Sequence, residues 1–163
     1  MRALGIDPGT IVTGFGVVEE EDGRLFHVDS GTVMAPQKME IEKRLHLIHG
    51  RIIEVLDRHK PQAVVLESSF YAKNVQTTLR LGQIGGVLLL AAASVNVPVF
   101  EYTPMAVKLS VVGYGAAKKE QVYQMVGRLL QLNPMPDSHH ASDALAVAVC
   151  HLHSYKMREL TGR

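Results

Sequence analysis

Leu4-Gly5-Ile6-Asp7-Pro8-Gly9-Thr10, followed by Val12-Thr13-Gly14-Phe15-Gly16-Val17-Val18, decides the fold. Residues 2–6 read as a short buried strand that ends on an acid. Pro8 and Gly9 turn the chain at once, and 12–18 alternates into a second strand. The acidic Glu19-Glu20-Glu21-Asp22-Gly23 reads as a hairpin turn, and Leu25 to Met34 as a third strand. These elements make an antiparallel meander.

Downstream, Ile41, Leu45, Ile48, Ile52, Val55 and Leu56 recur at helical spacing, and Pro61 ends that helix. The continuous apolar run Ala63 to Leu66 suits a strand covered on both faces and closes on Glu67. A helix over 77–94, a strand over 97–102, and helices over 105–112, 118–132 and 141–153 follow. The tail Tyr155 to Arg163 is polar and expected to fray. The whole reads as a mixed α/β fold: five strands, three antiparallel and then parallel, flanked by helices. We expect one domain over 1–156 with a short polar tail over 157–163.

Length and composition agree with a single soluble domain of 163 residues, nearly half of them apolar. No apolar run reaches the ~18 residues of a membrane span, and with a strand starting almost at once no signal peptide is expected. A single cysteine, Cys150, excludes an internal disulfide and points to a reducing compartment, so a cytoplasmic address is expected. Charge is unevenly spread. Residues 1–67 hold eight Lys/Arg against eleven Asp/Glu, whereas residues 68–163 hold nine against five. Lys73, Arg80, Lys108, Lys118 and Lys119 follow the acidic positions along the chain, a pattern suited to phosphate.

Asp7 and Glu67 are the informative acids. A carboxylate closing a buried apolar strand is costly to desolvate unless a cation or donor meets it. Ligands gather at the carboxyl ends of strands in such sheets, and both acids lie there. His140 and Asp143 stand three apart at a helix start and therefore share a face. Three carboxylates and an imidazole suit divalent cations doing phosphoryl chemistry. His139 is an alternative to His140, and Glu101 is a fifth acid with a structural reading. Phe70 and Tyr71 offer rings that stack on unpaired bases. Lys73 and Asn74 can reach phosphates or base edges. Gly14 and Gly16 leave space for a ligand to approach the second strand.

The order and spacing of these motifs resemble the RuvC-type Holliday-junction resolvases. The matching stretches are 4–10, 13–18, Leu66-Glu67-Ser68-Ser69-Phe70-Tyr71-Ala72-Lys73-Asn74, 81–87, 99–104, 107–115, 118–122 and Ser142-Asp143-Ala144-Leu145-Ala146-Val147-Ala148. The resemblance implies a ribonuclease-H-like fold and a homodimeric, metal-dependent endonuclease that resolves four-way DNA junctions by paired nicks. It makes Asp7, Glu67 and Asp143 metal-binding acids, with two Mg²⁺ or Mn²⁺ ions per site. His140 stands where many members have aspartate, which shifts preference toward Mn²⁺. Phe70 matches a base-contacting aromatic; Lys108 and Lys119 match lysines near the scissile phosphate. The helix over 77–92 matches the dimerisation helix, and a branch-migration motor is an expected partner. Actin-like ATPases share the first motif but need two such domains, and shorter resolvase-like proteins of RNA processing lack the 70–74 and 118–122 stretches. A junction-binding protein that does not cut is the remaining alternative.

Overall fold

A computed structural model describes residues 1–68 and 75–161, with side chains through 157. The strands are β1 (Arg2–Asp7), β2 (Val12–Glu21), β3 (Arg24–Met34), β4 (Ala63–Glu67) and β5 (Val99–Tyr102). The helices are α1 (Ile41–His59), α2 (Val75–Ser94), α3 (Pro104–Val112), α4 (Lys119–Leu129) and α5 (His139–Thr161). One five-stranded sheet runs β3-β2-β1-β4-β5. The first three strands pair antiparallel, and β4 joins β1 and β5 in parallel.

Strand alternation sorts the core into two layers. Leu4, Ile6, Val64 and Leu66 point to the layer containing Ile48, Ile52, Ile84 and Leu88 of α1 and α2. Ala3, Ala63 and Val65 point to the layer built from α3, α4 and α5. By the same parity Asp7 and Glu67 face α5. Ile6 and Leu66 are register partners, so the two acids end adjacent parallel strands on one face of one edge. Strand direction also brings the starts of α1 and α2 to that rim.

Local chemistry sets the element ends. Lys60 adopts a left-handed backbone (φ 46°) after α1, where its N–H donates to Leu56 O. Thr103 Oγ1 accepts from Ala106 N–H at 3.2 Å, and Pro104 opens α3. The Lys118 N–H donates to Gln121 Oε1 at 2.8 Å and starts α4.

Several boundaries differ from the sequence reading. The three glutamates 19–21 belong to β2, paired in turn against Phe26, Leu25 and Arg24. The turn is the pair Asp22-Gly23, both at positive φ (51° and 81°), which suits a right-twisted hairpin. Helix α4 stops at Leu129, and Gln131 takes a positive φ of 51°. Helix α5 starts two residues before 141 and continues to Thr161, so the tail expected to fray is helical as far as the described residues run. Cys150 is buried on α5 and burial pushes its thiol up, as befits a packing residue. By length and composition α2 is long and apolar enough to cross a bilayer, contrary to the expectation that no apolar stretch reaches that length. Its Ile84, Leu88, Ala91 and Ala92 are nonetheless packed in the core.

Candidate active site

Helix α5 reaches the sheet by the absence of side chains beneath it. A Cβ on Gly5 would lie 2.0 Å from Ala144 O, and one on Gly14 would lie 2.0 Å from His140 O. A Cβ on Gly16 would lie 2.7 Å from Leu145 N. The space read at Gly14 and Gly16 as room for a ligand is therefore filled by α5. This close seat carries His140 and Asp143 to the rim where β1 and β4 end.

His140 Nδ1 lies 2.7 Å from Asp7 Oδ2. Against an ionised Asp7, the imidazole N–H donates, which leaves Nε2 carrying the lone pair. The Asp7 side chain is only 15 % exposed. Its carboxyl is pushed above the ordinary range, mainly by burial and further by the charge of Asp143. The His140 hydrogen bond works against that rise. His139 is directed elsewhere, its ring tilted against Tyr123 at 4.9 Å between centroids. The choice between the histidines thus falls to His140.

Lys119 Nζ lies 2.6 Å from Asp143 Oδ2. That bond holds the ammonium charged above its usual range, and the fields of Asp7 and Glu67 add to it. Glu67, Lys108, Lys119 and Asp143 line one opening of about 220 Å³ together with Pro104, Val107 and Val122. Lys108 is therefore beside the acids. Lys118, at the start of α4, is exposed and does not line this opening. Glu101 is exposed and borders a separate groove along α2, also touched by Glu67. Phe70, Tyr71, Lys73 and Asn74 lie outside the described residues.

Among the described residues, no three His, Cys, Asp or Glu side chains close on a common metal point. The acids are instead held as two pairs, Asp7 with His140 and Asp143 with Lys119. The donor set nonetheless fits hard divalent ions. It offers carboxylate oxygens plus one imidazole, with a buried Asp7 strained by a neighbouring negative charge and Asp143 already satisfied by an ammonium.

Arg80 does not join this face. It lines a small hole on the α1–α2 side together with Thr10 and Arg44. Arg44 is a residue the sequence reading missed. Its signal was present: an arginine on the apolar stripe Ile41, Leu45, Ile48, where it is only 8 % exposed.

The family model described as "Crossover junction endodeoxyribonuclease RuvC" matches residues 3–151. The protein of that description from Syntrophomonas wolfei is 46 % identical over 157 residues, 96 % of this chain and 91 % of the relative. The one from Geobacter sulfurreducens is 47 % identical over 160 residues, 98 % and 97 % of the two chains. Among solved structures, Thermus thermophilus RuvC in complex with Holliday junction substrate superposes with a TM-score of 0.89 at 34 % identity, covering 96 % of each chain.

Proposed function

The chain belongs to the crossover junction endodeoxyribonuclease RuvC family and is a ribonuclease-H-like nuclease of four-way DNA junctions; from that premise we propose that Asp7, Glu67, His140 and Asp143, with Lys119, form its cutting site. The observation that carries this reading is the meeting of four distant segments on one sheet face. Asp7 and Glu67 end adjacent strands, while Asp7–His140 and Lys119–Asp143 contacts tie α5 and α4 to them.

Asp7, Glu67, His140 and Asp143 would hold two divalent ions, Mg²⁺ or Mn²⁺. Such ions, when bound, make water a nucleophile at neutral pH and offset charge on the departing sugar oxygen. Around them the protein's own groups have separate work. The one lone pair of His140, at Nε2 and oriented through the Nδ1 bond to Asp7, would serve a single role, ligand to a divalent ion or acceptor of the attacking water's proton. Lys119 turns its ammonium from Asp143 to the phosphate as negative charge builds there. Lys108, on the same opening, neutralises a nearby phosphate. Phe70 and Tyr71 would meet bases at the junction centre, with Lys73, Asn74, Arg80 and Lys118 on the backbone.

A junction has near-twofold symmetry, and a C₂ dimer offers two cutting sites to opposing strands. Helix α2 supports that arrangement. Leu79, Leu89 and Leu90 are exposed on it, and a Cβ added at Gly82, Gly85 or Gly86 would meet nothing within 4 Å among the described residues. An apolar face whose glycines serve no internal contact suits a second copy. A branch-migrating motor acting on the same junction is a further partner, and the cytoplasm is the compartment proposed. The non-cutting alternative finds no support among the relatives, which are described as crossover junction endodeoxyribonucleases.

The test follows an end-labelled four-way junction with Mg²⁺ or Mn²⁺, comparing wild type with Asp7→Asn. Symmetric nicks from wild type alone are expected. Binding without cutting by wild type, in either metal and on several core sequences, would refute the assignment.

A further inference from the structure

We propose that Arg44, Arg80 and Thr10 form a second phosphate-binding point for the junction DNA, on the side of the catalytic rim opposite Lys108 and Lys119. This inference rests on the junction-binding reading above and adds a contact to it.

Arg44 lies in the first turn of α1, 92 % buried by its 8 % exposure, on a face otherwise made of Ile41, Leu45 and Ile48. Its Nε is shielded from solvent and meets no hydrogen-bond partner among the described residues. No ion pair holds its guanidinium among the described residues. Buried arginines are ordinarily paired, because an unpaired cation in such a place is strongly destabilising. Arg80 of α2 borders the same hole as Thr10 and Arg44, and it too lacks an ion pair among the described residues. Among the described residues no acid lines that hole, whose other walls are Ile41, Leu45, Ile48 and Ile84. Two arginines bordering one hole repel each other, and an anion between them relieves that repulsion.

Size and position narrow the anion. The hole is about 10 Å³, room for one oxygen and too small for a whole nucleotide. A phosphodiester can insert one non-bridging oxygen and leave its sugars outside. Guanidinium donors match such oxygens. The hydroxyl-bearing Thr10 lies three residues beyond Asp7, so the point sits at the rim itself. Lys108 and Lys119 flank the acids on the α3–α4 side. A strand crossing the acids would then be gripped on both sides, one phosphate cut and another held.

Junction binding is measured by fluorescence anisotropy across a potassium chloride series, in an Asp7→Asn background that prevents cutting. Arg44→Gln, Arg80→Gln and Thr10→Ala are compared with that parent, singly and for the two arginines together. Each arginine variant is expected to weaken binding about 5- to 20-fold. Because both arginines serve one phosphate, the pair should flatten the log–log salt slope by about 0.9, not twice that. Melting temperature gives the second readout. Inorganic phosphate should raise it in wild type and not in Arg44→Gln. Arg44→Gln should itself melt no lower than wild type, since it removes an unpaired buried charge. Parental affinity and slope in the arginine variants, with phosphate protection unchanged, would overturn the proposal. Should Arg44→Gln fail to fold, an Arg80→Gln protein with unaltered slope and phosphate response would overturn it equally. A parent that binds no junction yet is protected by phosphate through Arg44 would instead refute the DNA reading and leave the anion site standing.

Discussion

His140 Nδ1 sits 2.7 Å from Asp7 Oδ2, joining residues 133 positions apart. The contact ties the start of α5 to the end of β1 and sets the imidazole tautomer. It also partly offsets the burial that drives the Asp7 carboxyl upward. Fold and chemistry meet in this one bond, because α5 reaches Asp7 only where Gly5 and Gly14 let it lie on the sheet.

The raised Asp7 pKa has a stability consequence of definite sign. Folding favours the protonated acid, so the native state binds more protons between the ordinary value of 3.8 and the higher folded value. Stability therefore falls as pH rises through that window, and the penalty is full above the folded value. Asp7→Asn removes it while keeping an acceptor for His140. The variant should melt a few degrees higher than wild type at neutral pH and show a flatter acid-side profile. It should cut at least 10³-fold more slowly. A lower melting point would mean that Asp7 is a net stabilising partner of His140.

Substituting His140 separates proton transfer from metal choice. His140→Ala should slow single-turnover cutting by about 10²- to 10³-fold, the usual scale for a positioned proton acceptor. His140→Asp should retain more activity and shift the Mg²⁺/Mn²⁺ rate ratio toward Mg²⁺ about fivefold or more, since imidazole favours the softer ion. An unchanged ratio would remove His140 from the metal-binding set.

Lys119→Ala should lower the cutting step by about 10²-fold while leaving junction affinity within about threefold. The Asp143 contact keeps this ammonium protonated above its ordinary 10.5, so no loss of rate between pH 7 and 9 should come from its titration. A purely backbone-binding lysine would show the reverse, with weaker binding and an intact rate at saturation.

Asp7 and Glu67 could be recognised in the sequence because each interrupts an apolar strand at its end, a local property. The parity of β1 and β4 then puts both on one face without further information. The choice of His140 over His139 was not local: it depends on where α5 begins and how closely it lies on Gly14. For the same reason Gly14 and Gly16 suggested open space, since only tertiary packing shows what fills it. Arg44 was visible as a charge on an apolar stripe, yet its lack of a partner among the described residues appears only once α1 is set beside Arg80. The glutamates 19–21 read as a turn by composition, whereas ladder pairing with β3 overrides that preference.

Gly14→Ala tests whether this packing creates the site. Its Cβ would fall 2.0 Å from His140 O, a backbone atom held by α5, so the helix start must move outward. Overpacking of this kind costs about 1–3 kcal/mol. The shift should also lengthen the Asp7–His140 contact, and misplacement on the ångström scale costs about 10²-fold in rate. Thermal melting and single-turnover cutting should therefore both decline, with junction affinity nearly unchanged. Gly86→Ala provides the contrast, because its Cβ meets nothing within this chain. As a monomer it should be no less stable, since alanine favours helix by about 1 kcal/mol over glycine. Any loss should instead appear as weaker self-association by analytical ultracentrifugation. Full activity in Gly14→Ala would show that α5 can retreat without displacing His140, and the dependence of the site on the bare face of β2 would fail.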